Sequence, residues 1–263
     1  MITINPFSEL SKFVPSIAIQ LFVVAMIILV VVGTLFDIIH KKNVKYFFEN
    51  AKKAKKQATT TVSVGKKTTI VLKTVASDIL TNSELDGKRR LAHLLGMYGT
   101  IIFWATSAIM IFCYSTTKSV TPSILPALWH LGAIMTCLGG YWFWFFLRVD
   151  VSAEGYPWHR IVRADLFVLS LVITATLGLI WSYLQFKNID GWDTLFLILF
   201  GLSNLVLFGG IYWSKFAHMF YKPGAAIQKH LAEEDGSNEN LPEPTDKPKQ
   251  FGLGIKREAP RHY

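Results

Sequence analysis

The amino-acid sequence predicts an all-α membrane protein, a bundle of five transmembrane helices with its N-terminus outside and its C-terminus in the cytoplasm. Two observations predict this fold: five long stretches contain no Asp, Glu, Lys or Arg, and the basic residues concentrate in alternate connections between them. Hydrophobic residues make up 51% of the 263 residues and charged residues only 17%. A soluble domain of this length usually carries more charge, so a soluble fold is disfavoured.

Each uncharged stretch is long enough to cross a bilayer. Spanning the hydrocarbon core takes about 20 apolar residues in a helix. Inside lipid every backbone N–H must bond within its own segment, which favours helices over isolated strands. The five predicted spans are residues 16–36, 91–114, 124–147, 166–186 and 194–213.

The distribution of basic residues predicts the orientation. All but Lys12, Lys118 and Lys187 of the 27 lysines and arginines lie after the first span, between the third and fourth, or after the fifth. An odd number of spans puts these three regions on one side of the membrane. The positive-inside rule makes that side cytoplasmic and the protein a multi-pass protein of the cell membrane.

The spans divide the chain into five predicted parts. These are a short outer segment (1–15), the first transmembrane helix (16–40), a basic cytoplasmic loop (41–90), a four-helix transmembrane domain (91–222) and a disordered cytoplasmic tail (223–263). The Tyr-Lys-Pro-Gly run at 221–224 is predicted to end the fifth helix.

The basic loop has two halves of different character. Its first half predicts a helix along the lipid headgroups, with Tyr46, Phe47 and Phe48 toward the lipid and the lysines near anionic headgroups. The β-branched residues of the second half predict a short hairpin. Two roles stay open for the loop: a docking surface for a partner, or a solvated basic connection.

Histidines are the candidate ligands for a cofactor. His93 and His218 lie at the cytoplasmic ends of the second and fifth predicted helices, at similar depth. Two imidazoles on different helices are what a bis-histidine haem b requires for its iron. Interface anchoring, or a favourable interaction with a helix C-terminus, is the plainer interpretation of such histidines.

Small and basic residues accompany the two histidines. Gly96 and Ser214 lie near His93 and His218 along the helices and would leave room for a flat macrocycle. Arg89, Arg90 and Lys215 are placed to pair with haem propionates near the interface.

Three segments resemble cytochrome b membrane subunits. RIVRADLFVLSLVITATLGLI resembles an Arg-x-x-x-Ala-Asp segment, with a hydrophobic run and Leu-Gly-Leu, of the gamma subunit of respiratory nitrate reductase. IYWSKFAHMFYKPGAA resembles the Ser-Lys-[Phe/Leu]-x-His-x-aromatic-x-Pro segment of that subunit and of its heterodisulfide reductase-type relatives. SDILTNSELDGKRRLAHLLGMYG is similar to a segment of the latter group. The resemblance covers about residues 77–226.

The resemblance implies a cytochrome b-like domain in residues 91–222. Such a subunit has no catalytic site of its own, and transfers electrons between membrane quinone or quinol and a cytoplasmic iron–sulfur or flavin subunit. One of the family's two ligand pairs maps to His93 and His218. The second pair maps to Phe103 and Phe200, which cannot ligate iron. The resemblance therefore implies one haem b, near the cytoplasmic face.

The remaining histidines have two interpretations each. His130, on the outer side, could ligate a second haem together with Met110, or could be an ordinary buried imidazole. His40 and His159 are predicted interface anchors, with propionate or quinone hydrogen bonding as the alternative. The tail histidines, His230 among them, are predicted to be solvated.

Two other functions compete with the cytochrome interpretation. The loss of the second ligand pair allows a haem-less membrane anchor or assembly subunit of a respiratory complex. A small transporter or sensor is disfavoured, because the predicted spans hold neither charged residues nor paired broken helices.

Overall fold

The computed structural model of the protein describes residues 1–41, 43–83, 85, 87–189, 191–212, 218–237, 250–251 and 255–256. Over these residues the regular structure is helical, apart from a two-residue antiparallel pair, β1 (Gln250–Phe251) with β2 (Ile255–Lys256). The helices are, in chain order, α1 (Pro6–Leu10), α2 (Ser16–Lys41), α3 (Asn43–Gln57), α4 (Val64–Thr74), α5 (Gly87–Cys113), α6 (Ile124–Trp142), α7 (Val149–Ser152), α8 (Leu166–Phe186), α9 (Trp192–Gly209) and α10 (His218–Glu234). A π-helical turn extends α4 (Val75–Leu80), another extends α6 (Phe143–Leu147), and a 3₁₀ turn (Arg163–Asp165) leads into α8.

Among the described residues, five helices are long and apolar enough to cross a membrane. They are Ser16–His40, Gly87–Cys113, Ile124–Leu147, Arg163–Phe186 and Trp192–Gly209. The predicted helical class is thus confirmed, and so is the predicted number of helices able to span a membrane. The first of these helices extends past its uncharged stretch and takes in Asp37, whose side chain is buried.

The chain divides into two compact units. The first unit consists of Met1–Asp37 and Gly87–Ala217, and the second of Ile38–Asp86 and His218–Tyr263. The first unit therefore holds α5, α6, α8, α9 and most of α2. The second unit holds α3, α4 and α10. This division differs from the predicted boundaries, which placed residues 91–222 in one domain and residues 223–263 in a disordered tail.

Small residues bring α5 and α6 of the first unit into close contact. A Cβ added at Gly99 would lie 2.6 Å from the backbone nitrogen of Thr136, and one at Gly139 would lie 2.5 Å from that of Gly96. The hydroxyls of Thr100 and Thr136 lie 3.4 Å apart between the helices. In lipid, helices gain little from burying apolar surface, so close backbone packing of this kind stabilises their association.

Large aromatic side chains fill the first unit toward the end that holds α1 and the connections α5–α6 and α8–α9, called here the His130 end. Phe7 of α1 packs edge-on against Trp129, with ring centroids 5.9 Å apart. Trp181 stacks on Phe200 at 5.7 Å. The opposite end, called the Arg148 end, holds the start of α5 and the α6–α8 connection.

The fifth spanning helix ends earlier than predicted. Gly210 is the C-cap of α9, and its N–H donates to the carbonyl of Val206. His218 begins the separate helix α10, and Pro223 lies inside that helix instead of ending one. His218 is therefore not on the fifth spanning helix, and the run at 221–224 is not its stop.

The second unit is helical where a hairpin was predicted. Ser63 caps α4, its side-chain oxygen accepting a hydrogen bond from the N–H of Lys66. The hydroxyls of Thr68 and Thr69 donate to carbonyls four residues earlier, which is how threonine is accommodated in a helix. α4 and its π-helical turn pack against α10. This packing outweighs the β-propensity of the threonines and valines.

Candidate functional site

The predicted haem ligand His93 lies on the second turn of α5, with its side chain exposed. Gly96 follows one turn later, and nothing lies within 4 Å of the position that a Cβ at Gly96 would occupy. The surface beside His93 is therefore open at Gly96. Gly99, the next small residue, is different, because α6 fills the space beside it.

Of the predicted propionate partners on α5, Arg89 already makes a hydrogen bond within the first unit. Arg89 is half-buried, and its Nη2 donates to the carbonyl oxygen of Leu147 at 2.6 Å. The carbonyls at the end of a helix lack partners within that helix, so Arg89 stabilises the end of the α6 extension. Arg90 is also half-buried. A guanidinium has five N–H donors, so the hydrogen bond from Arg89 to Leu147 leaves donors of Arg89 for a second acceptor.

The second half of the predicted site lies largely outside the described residues. Ser214 and Lys215 are outside them altogether. His218 is described as the first residue of α10, in the second unit, and its side chain is outside the described residues. The described part of the predicted haem site is therefore the part on α5.

The two residues to which the resemblance maps a second ligand pair face each other. The rings of Phe103 on α5 and Phe200 on α9 are 6.5 Å apart, centroid to centroid, in an edge-to-face arrangement. Phe103 is only 2% exposed and also contacts Trp129. Gly178 of α8 admits both rings, because a Cβ there would lie 3.1 Å from Phe200 and 3.5 Å from Phe103. Packed aromatic side chains occupy this part of the bundle.

His130 is buried in the same aromatic core and has two protein partners. Its Nδ1 lies 2.7 Å from the carbonyl oxygen of Pro126, and its Nε2 lies 2.9 Å from Oγ of Ser182. A carbonyl can only accept, so Nδ1 carries the proton and Nε2 accepts from the serine hydroxyl. Met110 is fully buried in the same core but is neither of these partners. This geometry favours the buried structural imidazole over a second haem ligand.

A cavity of about 620 Å³ opens beside Trp181 and Ser182. The N-terminal segment and the α8–α9 connection line it. Several of its polar lining groups have partners within the protein: Ser182 donates to His130, the amide of Gln185 donates to the carbonyl of Pro6, and Lys12 pairs with Glu9.

The predicted interface anchors are exposed. His40 lies in the last turn of α2, and His159 lies in the α6–α8 connection with its ring 5.6 Å from that of Trp158. Their exposure is compatible both with interface anchoring and with hydrogen bonding to a propionate or quinone, so it does not distinguish the two roles.

A buried ion pair at the Arg148 end was not predicted. Arg148 is 4% exposed; its Nη1 lies 2.7 Å from Oδ2 of Asp165, and its Nη2 donates to the carbonyl of Arg160 at 2.6 Å. Its guanidinium also lies 4.1 Å from the ring centroid of Trp144. These contacts hold the α6–α8 connection in place. The Arg-x-x-x-Ala-Asp segment could have indicated this ion pair. Its Asp165 lies at the start of a candidate span, where a carboxylate is stabilised by a nearby cation.

A second unpredicted cluster lies in the second unit, and it corrects the prediction that His230 is solvated. Nε2 of His230 lies 2.7 Å from Oδ2 of Asp78, and Nδ1 lies 3.0 Å from Glu233. The hydroxyls of Ser77 and Ser83 donate to the other oxygen of Asp78 at 2.7 and 2.9 Å. Two charged carboxylates on one imidazole require two N–H donors, so this geometry suits the protonated form of the ring, the imidazolium.

Both groups of this cluster have shifted pKa values. Burial raises the pKa of Asp78, but the hydrogen bonds from Ser77, His230 and Ser83 together outweigh it, and the net shift is downward. The hydrogen bond to Asp78 raises the pKa of His230; burial opposes this shift and Glu233 adds to it. The pair is therefore charged on both sides at mildly acidic pH. The cluster links the π-helical turn after α4 to α10.

Comparisons of the chain with protein-family models, with curated proteins and with solved structures found no match. Among the described residues, no three His, Cys, Asp or Glu side chains converge as a metal site would require. A bis-histidine haem site needs only two ligands, so it would not form such a group.

Proposed function

We propose that the protein is a membrane-anchoring cytochrome b subunit of a multi-subunit oxidoreductase. In this proposal it binds one haem b through His93 and His218. It transfers electrons between membrane quinone or quinol and a cytoplasmic iron–sulfur or flavin subunit. The basic loop and the C-terminus lie on the cytoplasmic side of the cell membrane, because almost all lysines and arginines lie in the regions assigned to that side.

The contact between Phe103 and Phe200 carries the proposal. The resemblance maps the family's two ligand pairs onto four positions of this chain, and these two residues occupy one pair of them. A correct mapping requires that the two positions face each other across the bundle, and the rings are in contact at 6.5 Å. A shift of two residues in either segment would turn one of the side chains away, because successive residues rotate by about 100° around a helix. The contact supports the mapping, and the mapping assigns the other pair to His93 and His218.

The surroundings of His93 add support. Its side chain is exposed on α5, and the open position at Gly96 leaves room for a flat ring system on the same face, since residues three apart share a helix face. Arg89 and Arg90 precede His93 by one turn, near enough to pair with carboxylates held there. Bound haem b would supply one-electron redox chemistry, and the role of the chain is to ligate it and to balance its charge.

A haem-less anchor or assembly subunit is the second candidate. The observation that favours it is the tightly packed aromatic core at the His130 end, where Phe103 and Phe200, at the positions that the resemblance assigns to a second ligand pair, pack with Trp129 and Trp181. In this candidate function the chain keeps the helical bundle and binds neither cofactor.

A dithionite-reduced minus oxidised absorbance spectrum of the purified protein tests the proposal, with the haem quantified as its pyridine haemochrome. We expect a b-type signal of about one haem per chain that is lost in His93→Ala and in His218→Ala. His159→Ala is the matched control, because His159 is also an exposed histidine and is not a proposed ligand. The control should keep the wild-type signal.

The other outcomes separate the rival interpretations. Protein without haem, from cells that make haem, would leave the haem-less anchor. Two haems per chain would mean that His130 or another residue serves as a ligand at a second site. A signal that survives either alanine substitution would assign the ligand to another residue.

A further inference from the structure

The exposed face of α3 carries a concentrated positive charge. α3 contains five lysines and one acidic residue, Glu49, and all five lysine side chains are exposed. The lysines are Lys45, Lys52, Lys53, Lys55 and Lys56.

The two faces of α3 differ in their surroundings. Phe47, Ala51 and Ala54, at helical spacing, are at least half-buried, and Ala54 is only 2% exposed. This face packs in the second unit, in which α3 contacts α10. The opposite face presents Phe48, 58% exposed, in line with the lysines at positions 52, 55 and 56. On such a face the lysines can attract anionic headgroups while the exposed aromatic ring contacts the boundary between headgroups and acyl chains.

The chain connection restricts where this face can lie. α2 is a candidate membrane span up to His40, and α3 begins at Asn43. The last turn of α2 belongs to the second unit, as α3 does. α3 is 15 residues long, or about 22 Å. At about 0.1 M salt the Debye length is about 10 Å. Only a helix that lies along the bilayer therefore keeps all five lysines within reach of the headgroup charge.

We propose that the lysine face of α3, with Phe48, binds the anionic phospholipid headgroups of the membrane that α2 crosses. The lysines supply the attraction, and Phe48 inserts its ring at the boundary between headgroups and acyl chains. The surface stabilises α3 along the membrane and makes its position depend on the content of acidic lipid. This inference stands apart from the haem proposal, because none of its residues belongs to the proposed cofactor site.

A spin label can measure the depth of α3 in the full chain. In a background with Cys113→Ser and Cys137→Ser, one label is attached at Phe48→Cys and, in a separate protein, another at Val64→Cys as a control. Val64 is 80% exposed at the start of α4 and should stay in water. The proteins are reconstituted in nanodiscs of phosphatidylcholine, with or without 30 mol% phosphatidylglycerol. Collision of the label with oxygen and with a water-soluble nickel chelate then reports its depth.

We expect the label at position 48 to move toward the lipid in the acidic nanodiscs and back toward water at 1 M salt. Each lysine near an acidic surface contributes about fivefold to the bound-to-free ratio. Lys52→Glu with Lys56→Glu should therefore lower that ratio by at least about 25-fold. The control Lys118→Glu with Lys187→Glu, which changes the net charge equally at exposed positions, should leave the depth of the label unchanged.

Two results would overturn the proposal. A label that remains in water in acidic nanodiscs would leave the basic face for a soluble acidic partner. A label that is equally deep in neutral and acidic nanodiscs, with no effect of the lysine substitutions, would show insertion by apolar contacts alone.

Discussion

The ion pair between Asp78 and His230 makes the stability of the second unit depend on pH. The perturbation is a double-mutant cycle with Asp78→Asn, His230→Gln and the double variant. Asparagine keeps an oxygen for Ser77 and Ser83, and glutamine keeps a polar group near Glu233, so each change mainly removes charge. The cycle therefore measures the coupling between the two charged side chains.

The magnitude follows from the burial of the two partners. A hydrogen bond to a charged group contributes about 1.5–3 kcal/mol. The Asp78 side chain is 7% exposed and that of His230 is 35% exposed, so solvent screens the pair in part. We expect a coupling of about 1–2 kcal/mol in the free energy of opening of α10.

The pH dependence has a definite sign. The pKa of His230 is raised in the folded state, so its contribution is complete below its unfolded value of about 6.5 and is lost as pH rises through the folded pKa. The pKa of Asp78 is lowered, so its contribution is present above about 3.9 and is lost as pH falls through the folded pKa. The coupling should be largest between about pH 4 and 6.5.

Hydrogen exchange of residues 219–234, followed by mass spectrometry in detergent at pH 5.5 and 9.5, measures the coupling. The control cycle uses Lys66→Gln and Glu234→Gln, an exposed ion pair that also joins α4 to α10. Its coupling should be about 0.5 kcal/mol or less and should change little between the two pH values. The reasoning is refuted if the Asp78–His230 coupling is equal at both pH values, because a neutral hydrogen bond would then account for it.

Two further predictions concern the packing of the first unit. Gly139→Ala should destabilise the bundle by about 1–3 kcal/mol, because its Cβ would lie 2.5 Å from the backbone nitrogen of Gly96. The control Gly201→Ala should not destabilise it, because nothing lies within 4 Å of the added Cβ. Thermal unfolding in detergent compares the two variants, and equal melting temperatures would contradict the close α5–α6 contact. Arg148→Met should cost about 3–5 kcal/mol because it leaves the carboxylate of Asp165 without its buried cation. The additional change Asp165→Asn should recover part of that loss in the same assay, and no recovery would mean that Arg148 acts through packing alone.

The spanning helices were predictable because hydropathy is a property of a continuous segment. Lipid offers the backbone no hydrogen-bonding partner, so an uncharged stretch of about 20 residues has few alternatives to a helix. The end of the fifth span was less predictable: Gly209 and Gly210 stop α9, but an apolar run continues to Trp213. α4 was mistaken for a hairpin because its β-branched residues favour a strand in isolation, and only its packing against α10 decides for a helix.

The sequence by itself determined a helical membrane protein with five candidate spans, a strongly basic loop and the positions of its histidines. Only the tertiary structure decided which side chains meet. Phe103 contacts Phe200, Arg148 contacts Asp165, and His230 reaches Asp78 across 152 positions of the chain. The physical reason is that hydropathy and charge act locally along the chain, whereas a contact between distant residues depends on how whole helices cross and on which small residues allow them to approach.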